Sequence, residues 1–196
     1  RQSSDLHGTD VEGDPEGVWL SRFPRQRLEA EMVRDTVLAA SGLLSHKRFG
    51  PSVFPPQPEG LWQAAFNGER DWMESQGEDR YRRGLYVFLR RTVPYPMLAT
   101  FDAPSRESCT VQRIPTNTPL QAFVTLNDPV FVEASHALAR RALEAAGTNG
   151  DHADRDAAKV IDRMLWFCLG RPPVAEQVAI LEALHADALQ AFREDP

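Results

Sequence analysis

Apolar positions recur at helical spacing in several stretches of this chain, and punctuation residues separate them. From Pro24, PRQRLEAEMVRDTVLAASG puts Leu28, Met32, Val33, Val37 and Leu38 on one stripe. Arg25, Glu29 and Arg34 fall on the opposite, water-facing side, and Gly42 supplies the stop. DRYRRGLYVFLRR at 79–91 predicts a second helix, with Tyr81, Leu85, Phe88 and Leu89 on one face. Gly84 weakens it by roughly 1 kcal/mol relative to alanine, which suits close backbone packing there. Thr118 caps a short helix, with Pro119 at its first position and Gln121 at the capping-box position. Asp128 and Pro129 open the next, whose inward residues are Phe131, Val132, Ser135, Leu138, Ala139 and Ala142, with Gly147 as its end. A helix over about 154–169 buries Val160, Ile161, Met164, Leu165 and Phe167. Gly170 and Pro172-Pro173 end it, and a last helix over about 174–192 carries Val178, Leu181, Leu184, Leu189 and Phe192.

Two stretches break this rhythm. Residues 43–78 contain PSVFPPQPEGLW, whose prolines and glycine forbid a regular helix or a central strand. Phe54, Leu61, Trp62, Phe66 and Trp72 in it need cover, so it reads as a loop draped over the helices and pinned by aromatics. Residues 92–117 form a second long loop. No alternating run is long enough for a strand. The fold class is mainly α: an irregular helical domain with two long proline- and aromatic-rich loops and C-terminal helical hairpins. Its parts are an extended arm at 1–23, anchored by Trp19, Leu20 and Phe23, a core at 24–147, and a hairpin at 154–192.

Composition supports a globular domain and narrows its partners. Of 196 residues, 42% are hydrophobic and 26% charged, which excludes general disorder. The net charge of −6 provides no general attraction to nucleic acid or to anionic membranes. No window approaches the roughly 20 apolar residues of a membrane span. The chain starts at Arg1, with neither an initiator Met nor a signal peptide, and reads as a fragment or a processed product. Cys109 and Cys168 can be bridged or separate, with separate thiols favoured.

The densest set of reactive groups is FDAPSRESC at 101–109, with Asp102, Arg106, Glu107 and Cys109 on a proline-fixed loop. Asp102, Glu107 and Cys109 are the catalytic candidates. Arg90, Arg91 and Arg106 are the ligand-binding candidates, suited to phosphate, sulfate or acidic glycans. The structural alternative is favoured for each: Asp102 as a turn clamp, the arginines as partners of Glu29, Glu31 and Asp35, and Cys109 as an inert thiol. The five histidines share no metal-ligand spacing, and no metal site is expected. No CxxCH, phosphate loop or GxSxG occurs, so no cofactor is expected within the chain. Non-covalent haem ligation by His136 or Met97 is the weakest option.

Several motifs occur in a shared order: RQSS at 1–4, FPRQRLEAEMVRD at 23–35 and FGPSVFPPQPEGLW at 49–62. YRRGLYVFLRRTVPYPMLATFDAPSRESCTVQR at 81–113, TNTPLQAFVTLNDPVFVEA at 116–134 and LGRPPVAEQ at 169–177 follow. With these the chain resembles the planctomycete surface-domain family, a domain of unknown function in large proteins that also carry cytochrome-c-like modules. Phe49 stands where that family usually has glycine. The resemblance implies an exported, periplasmic or surface-associated protein, with c-type haem possible in its other modules. It also implies an N-terminal part of the domain that is absent here. It assigns no reaction and no catalytic residue. The leading expectation is an accessory module that docks on that N-terminal region or on a partner protein. The alternative is a ligand-binding or catalytic domain acting on polysaccharide or in redox chemistry, with its site at 101–109.

Overall fold

The computed structural model describes residues 27–65, 68, 71–147 and 157–194. The arm and its anchor, Pro24, Arg25, Phe66 and the linker at 148–153 lie outside them. Among the described residues there are seven α-helices and no strand. They are α1 (Ala30–Ser41), α2 (Leu61–Ala65), α3 (Pro96–Thr100), α4 (Pro119–Asn127), α5 (Pro129–Ala146), α6 (Ala157–Leu169) and α7 (Ala175–Glu194). The fold is mainly helical, as the periodicity predicts.

The core lies where α1, α3 and α5 meet. Ala30, Val87, Tyr95, Met97, Leu98, Phe101 and Phe131 fill it, with Val33, Val37 and Val124 packed against them. Leu38 is buried on the same side of α1. Helix α6 packs on α5 and α1, and α7 packs on α6. Ile161 is the buried residue of α6, whereas no residue of α7 is fully buried. Leu184 and Phe192, expected inside, are exposed, because among the described residues α7 packs chiefly on α6. In α5 the buried face is Val130, Phe131, Ala134, Ala137, Ala142 and Ala146, so Val132 and Ser135 turn outward instead.

Helix α1 departs from its expected start and its expected face. It begins at Ala30, because Glu29 is extended (φ −69°, ψ 155°). That entry is held by Glu29 pairing with Arg113 and by Arg27 donating to Gln121. The buried face is Ala30, Arg34, Leu38 and Ser41, while Leu28 and Met32 are exposed. Arg34, expected in water, is 1% exposed. Its Nη2 donates to the Arg80 carbonyl at 2.8 Å and its Nε to the Arg82 carbonyl at 3.3 Å. Burial pushes this guanidinium down from its ordinary value.

Residues 79–91 are not a helix. Two short 3₁₀ turns, Gly77–Tyr81 and Gly84–Tyr86, lead into an isolated parallel bridge between Val87 and Val53. Non-local contacts override local helix propensity here. The Gly84 N–H donates to Asp35 Oδ1 at 2.6 Å, and Arg83 Nε reaches Asp35 Oδ2 at 2.8 Å. Arg82 is fully buried. Its Nη1 donates to the Pro51 carbonyl at 3.1 Å, its Nη2 to the Phe49 carbonyl, and its guanidinium lies 3.8 Å from the Tyr86 ring centre. Arg34 thus holds the 80–82 backbone, and Arg82 in turn holds the 49–51 backbone. Phe49 sits at φ 62°, the left-handed region that glycine occupies at no steric penalty.

Phe54, Trp62 and Trp72 of the first loop are covered, chiefly by one another, whereas Phe49 is exposed. Phe54 stacks on Phe88, and Trp72 packs on Phe54, Trp62 and Tyr95. Trp72 Nε1 donates to the Pro55 carbonyl at 2.7 Å, and Tyr95 Oη to the Pro56 carbonyl at 2.6 Å. The C-terminal end of α1 is closed by Gly42 (φ 81°) and by Arg141 of α5. Arg141 donates to the Ala39 and Ala40 carbonyls while stacking over Phe167 of α6.

Candidate functional site

The 101–109 loop starts at the end of α3, and its first member is tied down. Asp102 adopts φ 65°, a conformation Asp tolerates better than most residues. Its carboxylate accepts from the Thr116 N–H and the Thr116 hydroxyl, both at 2.7 Å. Gln121, 3% exposed, donates to the Thr100 carbonyl at 2.9 Å, to Thr116 Oγ1 at 3.2 Å and to Asp102 Oδ2 at 3.4 Å. Its Oε1 accepts from Arg27 and from the Thr118 N–H. Thr118 and Gln121 form the capping box of α4, so one amide joins α3, the loop and the helix start. The capping signature pointed to Gln121. Its wider role as a junction has no local signal.

The remaining loop candidates do not gather around Asp102. Arg106 (φ 62°) and Glu107 are exposed, and Glu107 donates its N–H to Ser105 Oγ at 3.4 Å. Cys109 is a free, exposed thiol. Cys168 is also free, and burial pushes its thiol up. Arg90 places its guanidinium 5.5 Å from the Trp62 ring centre and donates to Thr92 Oγ1, while Arg91 is exposed. Met97 is buried in the core, and His136 is exposed on α5. No group of three metal-ligating side chains occurs among the described residues.

The grooves among the described residues include these three. The one containing Asp102 measures about 480 Å³ and is walled by Arg27, Leu28, Gln112 and Arg113 as well. A second, about 500 Å³, runs from Gln57 to Glu74. A third, apolar and about 290 Å³, lies between α1 and α5 with Cys168 at its edge. The sequence reading missed the Gln57–Glu74 groove.

Ion pairs fix the Asp102 groove. Arg113 clamps Glu31 with two bonds of 2.6 and 3.0 Å and reaches Glu29 at 3.4 Å. The hydrogen bond from Arg113 holds the Glu31 carboxyl below its ordinary value, with a further contribution from the charge of Arg106. The Thr116 N–H does the same for Asp102. Both carboxyls therefore bind protons more weakly folded than unfolded. The stability they contribute is complete above their unfolded values, about 3.9 for Asp and 4.3 for Glu, and disappears as pH falls through the lower folded values. Urea midpoints are expected to drop between about pH 5 and about pH 3, and to drop less in the E31Q/D102N double variant. An equal drop in both proteins would show that these groups do not set the acid limb.

No helix among the described residues is long and apolar enough to cross a membrane. No curated protein and no solved structure matches the chain. The family match covers residues 1–185, and its description assigns no reaction: the chain belongs to PSD1, protein of unknown function (DUF1553).

Proposed function

We propose that this chain is a docking module of an exported, cytochrome-linked planctomycete protein, seated on the N-terminal region of the same protein or on a partner chain. The observation that carries the reading is the outer face of α4. Leu120, Phe123 and Leu126 are spaced three apart along it and are 66%, 60% and 71% exposed. Val111 and Ile114, on the loop leading into α4, are exposed too. Large apolar side chains concentrated on one element favour a covering surface over water. Phe54, Trp62 and Trp72 of the first loop, expected to seek such a surface, are already packed, so the docking face moves to α4. The exported and cytochrome-linked parts of the reading rest on the motifs quoted above.

Hydrogen exchange on the full-length protein and on this chain alone tests it. Peptides spanning 118–128 are expected to exchange more slowly in the full-length protein, and F123E is expected to abolish that difference without lowering the melting temperature of the chain. Equal exchange in both forms, or catalytic turnover by this chain alone, would overturn the reading.

A further inference from the structure

We infer that the groove from Gln57 to Glu74 binds a neutral polyhydroxylated ligand, a sugar residue of a glycan. The groove is separate from the α4 face and does not depend on it. Its volume of about 500 Å³ suits one small ligand.

The wall combines what a sugar needs. Trp72 provides apolar ring surface and is held in place by its bond to Pro55 and by the rings around it, including Trp62, which is itself buried. A wall fixed in advance loses little freedom on binding. Gln57 also lines the groove. It is 7% exposed, and its Oε1 is buried without a hydrogen-bond partner. Native interiors rarely leave such an atom unmet. A turn of the amide about its last torsion, without movement of its stem, would bring this buried oxygen to a ligand hydroxyl in the groove.

The charged groups decide the ligand's own charge. Glu59, Asp71 and Glu74 line the groove and disfavour an anion. The pull on a cation is reduced by what already stands there. Arg80 pairs with Glu74 at 2.8 Å, and Arg90 lies over the Trp62 ring that a ligand cation would use. Gln63 Nε2 donates to one oxygen of Asp71 at 3.0 Å. Carboxylate oxygens accept and amides both donate and accept, which matches hydroxyls that do both.

The test is saturation-transfer NMR and tryptophan fluorescence on the 196-residue chain. The probes are maltose, cellobiose and lactose, with glucose 6-phosphate and choline as charged comparators. We expect at least one neutral sugar to saturate in the millimolar range with a change in tryptophan emission, and the charged probes to bind more weakly. Gln57→Leu and Glu59→Gln are each expected to weaken binding about tenfold. Should Gln57→Leu lower the melting temperature, Glu59→Gln on the exposed rim decides alone. No saturation by any of the three sugars, undiminished binding in the deciding variant, or preferential binding of choline would overturn the proposal.

Discussion

In the Gly84→Ala variant, one added methyl group is expected to remove about 2–4 kcal/mol of unfolding free energy. A Cβ at residue 84 would stand 2.8 Å from the Glu31 Cα and 2.9 Å from the Glu31 carbonyl oxygen. Neither neighbour is a flexible tip; both belong to the backbone of α1, so the 3₁₀ turn itself must retreat. That retreat stretches the Gly84 N–H bond to Asp35 and loosens the Arg83 pair beside it. For a chain of this length each kcal/mol corresponds to about 2–4 °C of melting temperature, so a shift of roughly 5–15 °C is expected. Gly84 has no positive φ, so left-handed strain, which Gly77→Ala (φ 60°, nothing within 4 Å) would report, adds nothing at Gly84. A loss below about 1 kcal/mol in Gly84→Ala would mean that contact with α1 contributes little.

Arg34→Met is expected to lower stability by about 2–4 kcal/mol and to raise amide exchange in residues 77–88. Methionine retains much of the aliphatic volume, so the change isolates the guanidinium. Two effects compete. Burying a charge is unfavourable, and Arg34 Nη1 has no hydrogen-bond partner, so removing the guanidinium relieves a desolvation penalty. Against this, the Arg80 and Arg82 carbonyls lose their donors beside the core, where no sheet ladder replaces them. Two stranded acceptors cost about 1–3 kcal/mol each, more than the relief from a group whose charge is already shared among carbonyls. A variant as stable as the parent would reverse that ranking. Arg34→Lys is expected to fall between the two, since an ammonium cannot reproduce the fork that spans both carbonyls.

The helices of the C-terminal half were legible because their signals are local. Asp128 accepts from the Val130 N–H, Gly147 turns left-handed at φ 68°, and Gly170 does the same at φ 65°. Each punctuation mark acts within a few residues of where it is read. The first half was harder because its decisive contacts span long separations. Arg34 meets carbonyls 46 and 48 residues away, and a charged residue on an amphipathic pattern is read as solvent-facing unless that partner is known. The same contacts hold 79–91 out of the helix its side chains favour. Gly84 was correctly read as a close-approach position, though the neighbour is α1 and the local structure is a 3₁₀ turn. At 101–109 the residue types suggested a cluster, yet of its reactive groups only Asp102 lines the groove described, because a proline-bounded loop fixes direction and not convergence. The Gln57 groove had no signature at all: its members become neighbours only after Trp72 packs against Trp62.

The two buried arginines also make tolerance to sequence drift lopsided along the chain. Each grips main-chain carbonyls, so the grip is blind to the side chains at the receiving positions. Phe49 and Pro51 can be exchanged by evolution without removing the acceptors that Arg82 uses. Arg34 and Arg82 have no such freedom, since only a guanidinium supplies several donors in a rigid plane. The 49–51 stretch can therefore vary in composition while its path stays constant, with its shape stored in Arg82 and, behind it, Arg34.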